Sequence, residues 1–248
     1  MRLKIPERFV GVRVIGDVHG DTQAFAPLIE GGEKAKLFVI QLGDLVDRGP
    51  DSPGCLKLAF DMLARHTGLF ILGNHDDKLR RALAPDSKVI RGKELTDTLA
   101  AIDADPDAVS FRSEIVRELE MAPLWLRFGS YLAVHGGFDP RMLLESDRAS
   151  GAEELISKSV RNRALRGQAR KRGEEVPLSM SGADYPERIY DWIDAVPEGM
   201  TVLIGHDAVS MEEIVTRKGA LGGYVKFCDT GCGKGGKLSW VDIPRTDW

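Results

Sequence analysis

Five short stretches of the chain place aspartate, asparagine or histidine directly behind an apolar run: Asp17 and His19 in VIGDVHGD, Asp44 in GDLVDRG, Asn74 and His75 in GNHD, His135 in HGG, and His206 in GHD. Acidic and imidazole side chains cost free energy beside a core unless something pairs with them. Oxygen and imidazole donors together suit manganese, iron or zinc, and the lack of cysteine in these stretches argues against a structural zinc site. Two cations about 3.5–4 Å apart need a shared ligand, which one bridging carboxylate supplies. Asp44, in the central stretch, is the candidate bridge. Four of the five histidines fall in these stretches; the fifth, His66, ends a helical segment and reads as a surface residue near a helix C-terminus.

The elements that must position these residues alternate along the chain. GVRVI (11–15), LFVIQL (37–42), LFIL (69–72), YLAV (131–134), TVLI (201–204) and YVKF (224–227) are short and rich in β-branched or aromatic residues, as strands are. Segments 22–32, 53–66, 75–84 and 110–121 show helical spacing, with Pro27 blurring the first boundary. Strands interleaved with helices define an α/β chain. Loops at the carboxyl ends of such strands converge on one crevice, so polar residues scattered in sequence are expected to meet in space. Asp21 and Asp76 read as caps of the helices that follow them.

Composition narrows the alternatives. The 248 residues, 43% of them hydrophobic, suffice for one large α/β domain, and a formal charge of −4 gives no global attraction to nucleic acid or anionic membrane. No membrane partner and no stable nucleic-acid partner are expected. The beginning of the chain lacks an apolar stretch of signal-peptide length, so a cytoplasmic location is expected. Cys55, Cys228 and Cys232 form no CxxC pair or regular spacing and read as buried reduced thiols.

GDVHG (16–20), GDLVDRG (43–49), GNHD (73–76), HGG (135–137) and GH (205–206) stand in an order that resembles the calcineurin-like metallophosphoesterases, in particular their phosphoprotein-phosphatase-type branch; DTGC (229–232) adds a weaker match. The resemblance implies a four-layer αββα sandwich of two mixed sheets flanked by helices, built as a single domain over 1–248 with a basic cap-like or lid-like insertion at about 145–198. It implies two divalent ions, manganese first with iron or zinc as alternatives. Asp17 and His19 would hold one, Asp44 would bridge, and Asn74, His135 and His206 would hold the other. Two dications, two carboxylates and a bridging hydroxide leave a net charge of about +1, which favours a phosphate.

On this reading the bridging hydroxide attacks phosphorus in line. Arg48 and Asn74 contact the phosphate, Arg48 through its planar fork. His75 serves as general acid toward the leaving oxygen, oriented by Asp47. Asp229 is expected behind the ligands as an acceptor for a histidine. Asp207 replaces the threonine or asparagine usual in the family, and it either bonds a ligand histidine or begins a loop.

Two further segments carry alternatives. Residues 158–172, KSVRNRALRGQARKR, are basic without an acid, and they form either a solvated helix face or a substrate lid in which Arg161 or Arg163 touches phosphate. The stretch DTGCGKGGKLSWVDI partly fits nucleotide-binding loops, yet those need a helix to follow, and SWVDIP alternates like a strand. A β-hairpin turn is expected there. For substrate, HGGFDP looks like Ser/Thr protein phosphatases, and the intact Asp47 is unlike symmetrical dinucleoside tetraphosphatases, whereas GNHD, GPDSPG and DTGC look more like bacterial relatives, including phosphatase domains of polynucleotide kinase-phosphatases. The first reading is therefore a Ser/Thr-protein-phosphatase-like phosphomonoesterase acting on phosphoprotein or small phosphoesters. Its alternative is a nucleotide or nucleic-acid-end phosphoesterase of the dinucleoside tetraphosphatase or 2',3'-cyclic phosphate type. A non-catalytic metal-binding or phosphate-binding scaffold is the alternative of another class, and its mark would be a lost ligand or acid. None is lost.

Overall fold

In chain order the elements are β1 (Gly11–Ile15), α1 (Thr22–Lys34), β2 (Leu37–Gln41), α2 (Ser52–Ala64), β3 (Gly68–Phe70), α3 (Asn74–Leu83), α4 (Lys93–Asp103) and α5 (Ala108–Met121). They continue as β4 (Trp125–Phe128), β5 (Tyr131–Val134), α6 (Lys158–Arg166), β6 (Gln168–Ala169), β7 (Arg188–Ile189), β8 (Thr201–Ile204), β9 (Val215–Lys218), β10 (Tyr224–Phe227) and β11 (Trp240–Pro244). The computed structural model describes residues 2–144, 156–169 and 188–247. Most of the expected insertion, with Arg170, Lys171 and Arg172 of the basic run, lies outside the described residues.

β1, β2 and β3 run parallel, and β11 closes their edge antiparallel to β1. In the second sheet β5, β8 and β10 run parallel, with β4 and β9 antiparallel at the edges. Strand alternation decides what lies between the sheets. Val12, Val14, Phe38 and Ile40 of the first sheet meet Leu126, Phe128, Ala133 and Leu203 of the second in one buried cluster. Their neighbours Ile15, Val39, Leu132, Val134, Val202 and Ile204 face outward into a second cluster, shared with helical residues such as Phe25, Leu56, Ile115 and Val160. Each central strand is thus apolar on both faces, the signature of a sheet covered on both sides. The expected αββα sandwich is the observed architecture.

Four expected strands, 11–15, 131–134, 201–204 and 224–227, form with those boundaries, while the 69–72 run pairs earlier, over Gly68–Phe70. α1 continues through Pro27, and Asp21 caps it by accepting from the Ala24 amide at 2.9 Å. The hairpin reading of 229–243 is corrected: β10 belongs to one sheet and β11 to the other, so the glycine-rich loop crosses between sheets. Gly231, Gly233 and Gly235 carry φ of 81°, 71° and 91°, which a crossing this tight demands and only glycine adopts cheaply. The described part of the basic run forms α6, capped by Ser157, and it buries Val160, Ala164 and Leu165, so the segment is not a wholly solvated helix. All three cysteines are buried and free, and His66 is exposed. Among the described residues, no helix is long and apolar enough to cross a membrane.

The layer between the sheets yields a stability prediction. Leu203 is fully buried there, so Leu203→Ala lowers unfolding free energy by about 2–5 kcal/mol, the usual cost of such a cavity. Urea denaturation measures it, and a loss under about 1 kcal/mol contradicts the inter-sheet packing.

Candidate metal centre

Six parallel strands end on the same side of the sandwich, and the loops leaving them carry the polar residues. Backbone bonds stitch these loops together: the amides of Val18 and His19 donate to the Asp44 carbonyl at 3.1 and 2.9 Å, and Gly205 N donates to the His135 carbonyl at 3.0 Å. The turns are sharp enough to force non-glycine residues into the left-handed region. His19, Asp44, Asp47, Arg48 and His206 have φ of 48°, 58°, 70°, 70° and 65°. Such conformations cost about 1–3 kcal/mol each and persist only where surrounding bonds over-determine them. At Gly205 the demand is steric, because a Cβ there would lie 2.2 Å from Asp17 Oδ1. That close approach lets the His206 amide donate to both Asp17 oxygens at 3.0 and 3.1 Å.

The side chains converge on Asp44. His19 Nε2 lies 3.8 Å from Asp44 Oδ2, His135 Nε2 lies 3.3 Å from the same atom, and Asp17 Oδ2 is 3.8 Å from His19 Nε2. Asn74 Oδ1 is 3.1 Å from His135 Nε2, and the His135 and His206 rings stand 5.1 Å apart. Among the described residues two groups with metal-ligand spacing contain Asp44, His19–Asp44–His75 and Asp44–His135–His206, and a third, Asp47–His75–Glu94, lies beside them. Asp44 is common to the first two, which is the placement a bridging ligand needs.

Hydrogen bonding behind the rings tests whether a cation fits. His19 Nδ1 is 2.9 Å from the Val46 carbonyl and His135 Nδ1 is 2.8 Å from the Leu42 carbonyl. A carbonyl only accepts, so each Nδ1 carries a proton; the neutral His19 ring turns its Nε2 lone pair inward, and His135 does so once a cation displaces the proton on its Nε2. Lone pairs of imidazoles, carboxylates and an amide oxygen then face one another in a buried volume. A divalent cation reconciles them, and the donor set is the hard-to-borderline mixture that such ions take.

Charge balance points the same way. Burial, with Asp229 and Asp44 adding, pushes the Asp17 carboxyl well above the usual range. Asp44 goes the other way: against the upward push of burial, His135, His75 and His19 hold it well below. Burial drives His19 down to about 4 and, with His135 and Arg188, drives His206 well below the ordinary imidazole value, so both rings are neutral and able to ligate. His135 is instead held up to about 9, as Asp44 and Asp17 outweigh burial. Its proton is the chain's own substitute for a cation.

Beside this centre, His75 Nδ1 lies 2.6 Å from Asp47 Oδ2. Despite burial, Asp44 and the bond to Asp47 raise the His75 imidazole, so its protonated form is favoured. Arg48 reaches between the rings, Nη1 2.9 Å from His19 Nε2 and Nη2 3.3 Å from His75 Nε2. Asp17, His19, Asp44, Asp47, Arg48, Asn74, His75, His135 and His206 are thus brought together. Asp229 lies behind them, close enough to raise Asp17, while the two expected arginines of the basic run engage partners of their own. Arg161 donates to Asp77 Oδ1 at 2.8 Å, tying α6 to α3, and Arg163 is half-buried beside the loop after His135, with Asp139 and Arg141 as charged neighbours. For Asp229 the expected histidine donor is replaced by the Gly231 amide at 2.8 Å and Lys234 Nζ at 2.9 Å.

Three participants lay outside the sequence expectations. Arg188 places Nη2 2.7 Å from His206 Nε2 and pairs through Nε with Asp207 at 3.0 Å, which gives Asp207 its role. Asp76 does more than cap α3: besides the Gly73 amide it accepts from the amides of Asp44 and Leu45 at 2.8 and 2.9 Å, fixing the bridging loop. Thr98, from α4, donates to Asp47 Oδ1 at 2.7 Å. Asp76 carried a signal in its place after GNH, whereas Arg188 and Thr98 sit in stretches with no strand-then-polar pattern.

Fold and site together define a metal-dependent α/β sandwich hydrolase. The sequence profile of the calcineurin-like phosphoesterases matches residues 11–210, and the chain belongs to that family, whose members are divalent-metal-dependent phosphoric ester hydrolases. It is 24% identical over 254 residues to an asymmetrical bis(5'-nucleosyl)-tetraphosphatase of a Geobacillus species, covering 95% of this chain and 91% of the relative. It is 26% identical over 276 residues to a symmetrical bis(5'-nucleosyl)-tetraphosphatase of Methylococcus capsulatus, covering 96% and 93%. In fold it is similar to a crystal structure assigned as a diadenosine tetraphosphatase, with a TM-score of 0.56, 22% identity and coverage of 98% and 97%.

Because Asp44 is common to both ligand groups, Asp44→Asn depletes bound divalent metal while the fold persists. Elemental analysis of the purified variant checks this, and an undiminished metal content removes the shared-ligand role.

Proposed function

We propose that the chain hydrolyses nucleoside phosphoesters or phosphoanhydrides, with dinucleoside polyphosphates as the substrate class, at a centre of two divalent ions. The observation that carries this reading is that relatives aligned over more than nine-tenths of both chains are named for dinucleoside tetraphosphate hydrolysis. It displaces the Ser/Thr-protein-phosphatase reading as the first choice. A bounded pocket of about 310 Å³ beside Arg48, walled by Pro50, Lys93, Glu94 and Ala101, adds support. Its size is at the compact end of ligand sites, roughly 300–1,000 Å³, which suits one nucleoside better than an extended peptide.

In this mechanism Asp17 and His19 would hold one ion, Asn74, His135 and His206 would hold the other, and Asp44 would be shared. Such a pair, when bound, would supply the Lewis acidity and positive charge that phosphoryl transfer requires. Arg48 and Arg188, whose forks lie at the inward nitrogens of His19 and His206, hold phosphoryl oxygens from two sides. His75 delivers a proton from Nε2 to the leaving oxygen, while Asp47 keeps the ring oriented through Nδ1.

The test is a substrate panel with manganese and with chelator. Diadenosine tetraphosphate is expected to turn over only with metal and faster than any phosphopeptide. Chromatography shows whether ATP plus AMP or ADP alone is produced. Phosphopeptide turnover without nucleotide hydrolysis contradicts the proposal and restores the protein-phosphatase reading.

A further inference from the structure

Asp47 stands on a strained backbone, with φ of 70°, and something must hold its carboxylate against the His75 ring. Three bonds do so. The Asp47 amide donates to Ser52 Oγ at 2.9 Å, Ser52 Oγ lies 3.3 Å from Thr98 Oγ1, and Thr98 Oγ1 donates to Asp47 Oδ1 at 2.7 Å. Chemistry fixes the direction of each. A carboxylate only accepts, so the Thr98 proton is committed to Asp47, and the Ser52 proton must then go to Thr98. Ser52 and Thr98 are 4% exposed, so water does not compete with this ring. With Oδ1 occupied, Oδ2 is left for His75 Nδ1, 2.6 Å away.

We infer that Thr98 is a positioning residue for proton delivery: from α4 it locks the Asp47 carboxylate in the one orientation that presents Oδ2 to His75. The interaction spans 51 residues of sequence and is a side-chain bond from α4 directly into the catalytic loop. Without the Thr98 hydroxyl, Oδ1 becomes a buried acceptor lacking its donor, and the carboxylate rotates to recover one. The His75 ring then loses its fixed partner, although the metal ligands keep theirs. The inference rests on the proposed role of His75 as general acid.

Leaving-group dependence separates the possibilities. An activated aryl ester such as 4-nitrophenyl phosphate needs little protonation of its leaving oxygen, whereas phenyl phosphate needs much. With manganese-loaded enzyme, Thr98→Val is expected to leave turnover of 4-nitrophenyl phosphate and metal content near wild type. It is expected to slow phenyl phosphate by roughly 10–100-fold, part of the 10²–10⁴ that a general acid contributes. Thr98→Ser restores the hydroxyl and the rate. Equal losses on both esters, or no loss on either, overturn the positioning role. His75→Ala is run alongside: if its loss is also indifferent to the leaving group, the acid assignment itself fails. If His75→Ala discriminates between the esters and Thr98→Val does not, only the Thr98 inference fails.

Discussion

The structure depends on one unfavourable arrangement: buried acceptors that face one another around Asp44. Two carboxylates, an amide oxygen and imidazole nitrogens crowd together, with Asp17, His19, Asp44 and His135 buried, and the backbone bonds behind His19 and His135 prevent those rings from turning away. The chain offsets the crowding with cations of its own, the His135 proton and the Arg48 and Arg188 guanidiniums, and a bound metal would take their place at the ring nitrogens. The raised Asp17, the lowered His206 and the proton retained by His135 are three expressions of the same imbalance.

The sandwich exists to hold that arrangement rigid. Parallel strands end together, so each contributes one turn to a common rim, and two apolar layers on either side of each sheet leave little freedom for the rim to relax. Left-handed backbone at His19, Asp44, Asp47, Arg48 and His206 is tolerated because the loops are bonded to one another, carbonyl to amide, and to Asp76. Arg48 stands at His19 and Arg188 at His206, so the same rigidity that gathers the candidate ligands also sets two guanidinium cations beside them. Helix α4 extends the rim, since it walls the pocket beside Arg48 and sends Thr98 to Asp47.

What was legible in the sequence followed from short-range pattern. An apolar run followed by glycine and a polar residue marked each strand end, and the five repetitions located every residue that converges on Asp44, as well as the Asp21 cap. Contacts made at long range left no such pattern. The helix KELTDTLAAID was not among the expected segments and nothing local marks Thr98 in it, and Arg188 lies on a two-residue strand too short to show periodicity. Alternation in SWVDIP correctly signalled a strand, but its partner is set by sheet topology, so the hairpin expectation failed at β11. Arg161 was drawn to attention by the charge run, yet an acidic neighbour on another helix, Asp77, determines where it points.

The central claim is that the acceptors around Asp44 form a paired-metal site. Equilibrium dialysis of the apo protein against Mn²⁺, read together with electron paramagnetic resonance, tests it most directly. The account predicts two ions per chain with the spectrum of an exchange-coupled pair. A single uncoupled ion per chain, or no specific binding, would contradict it.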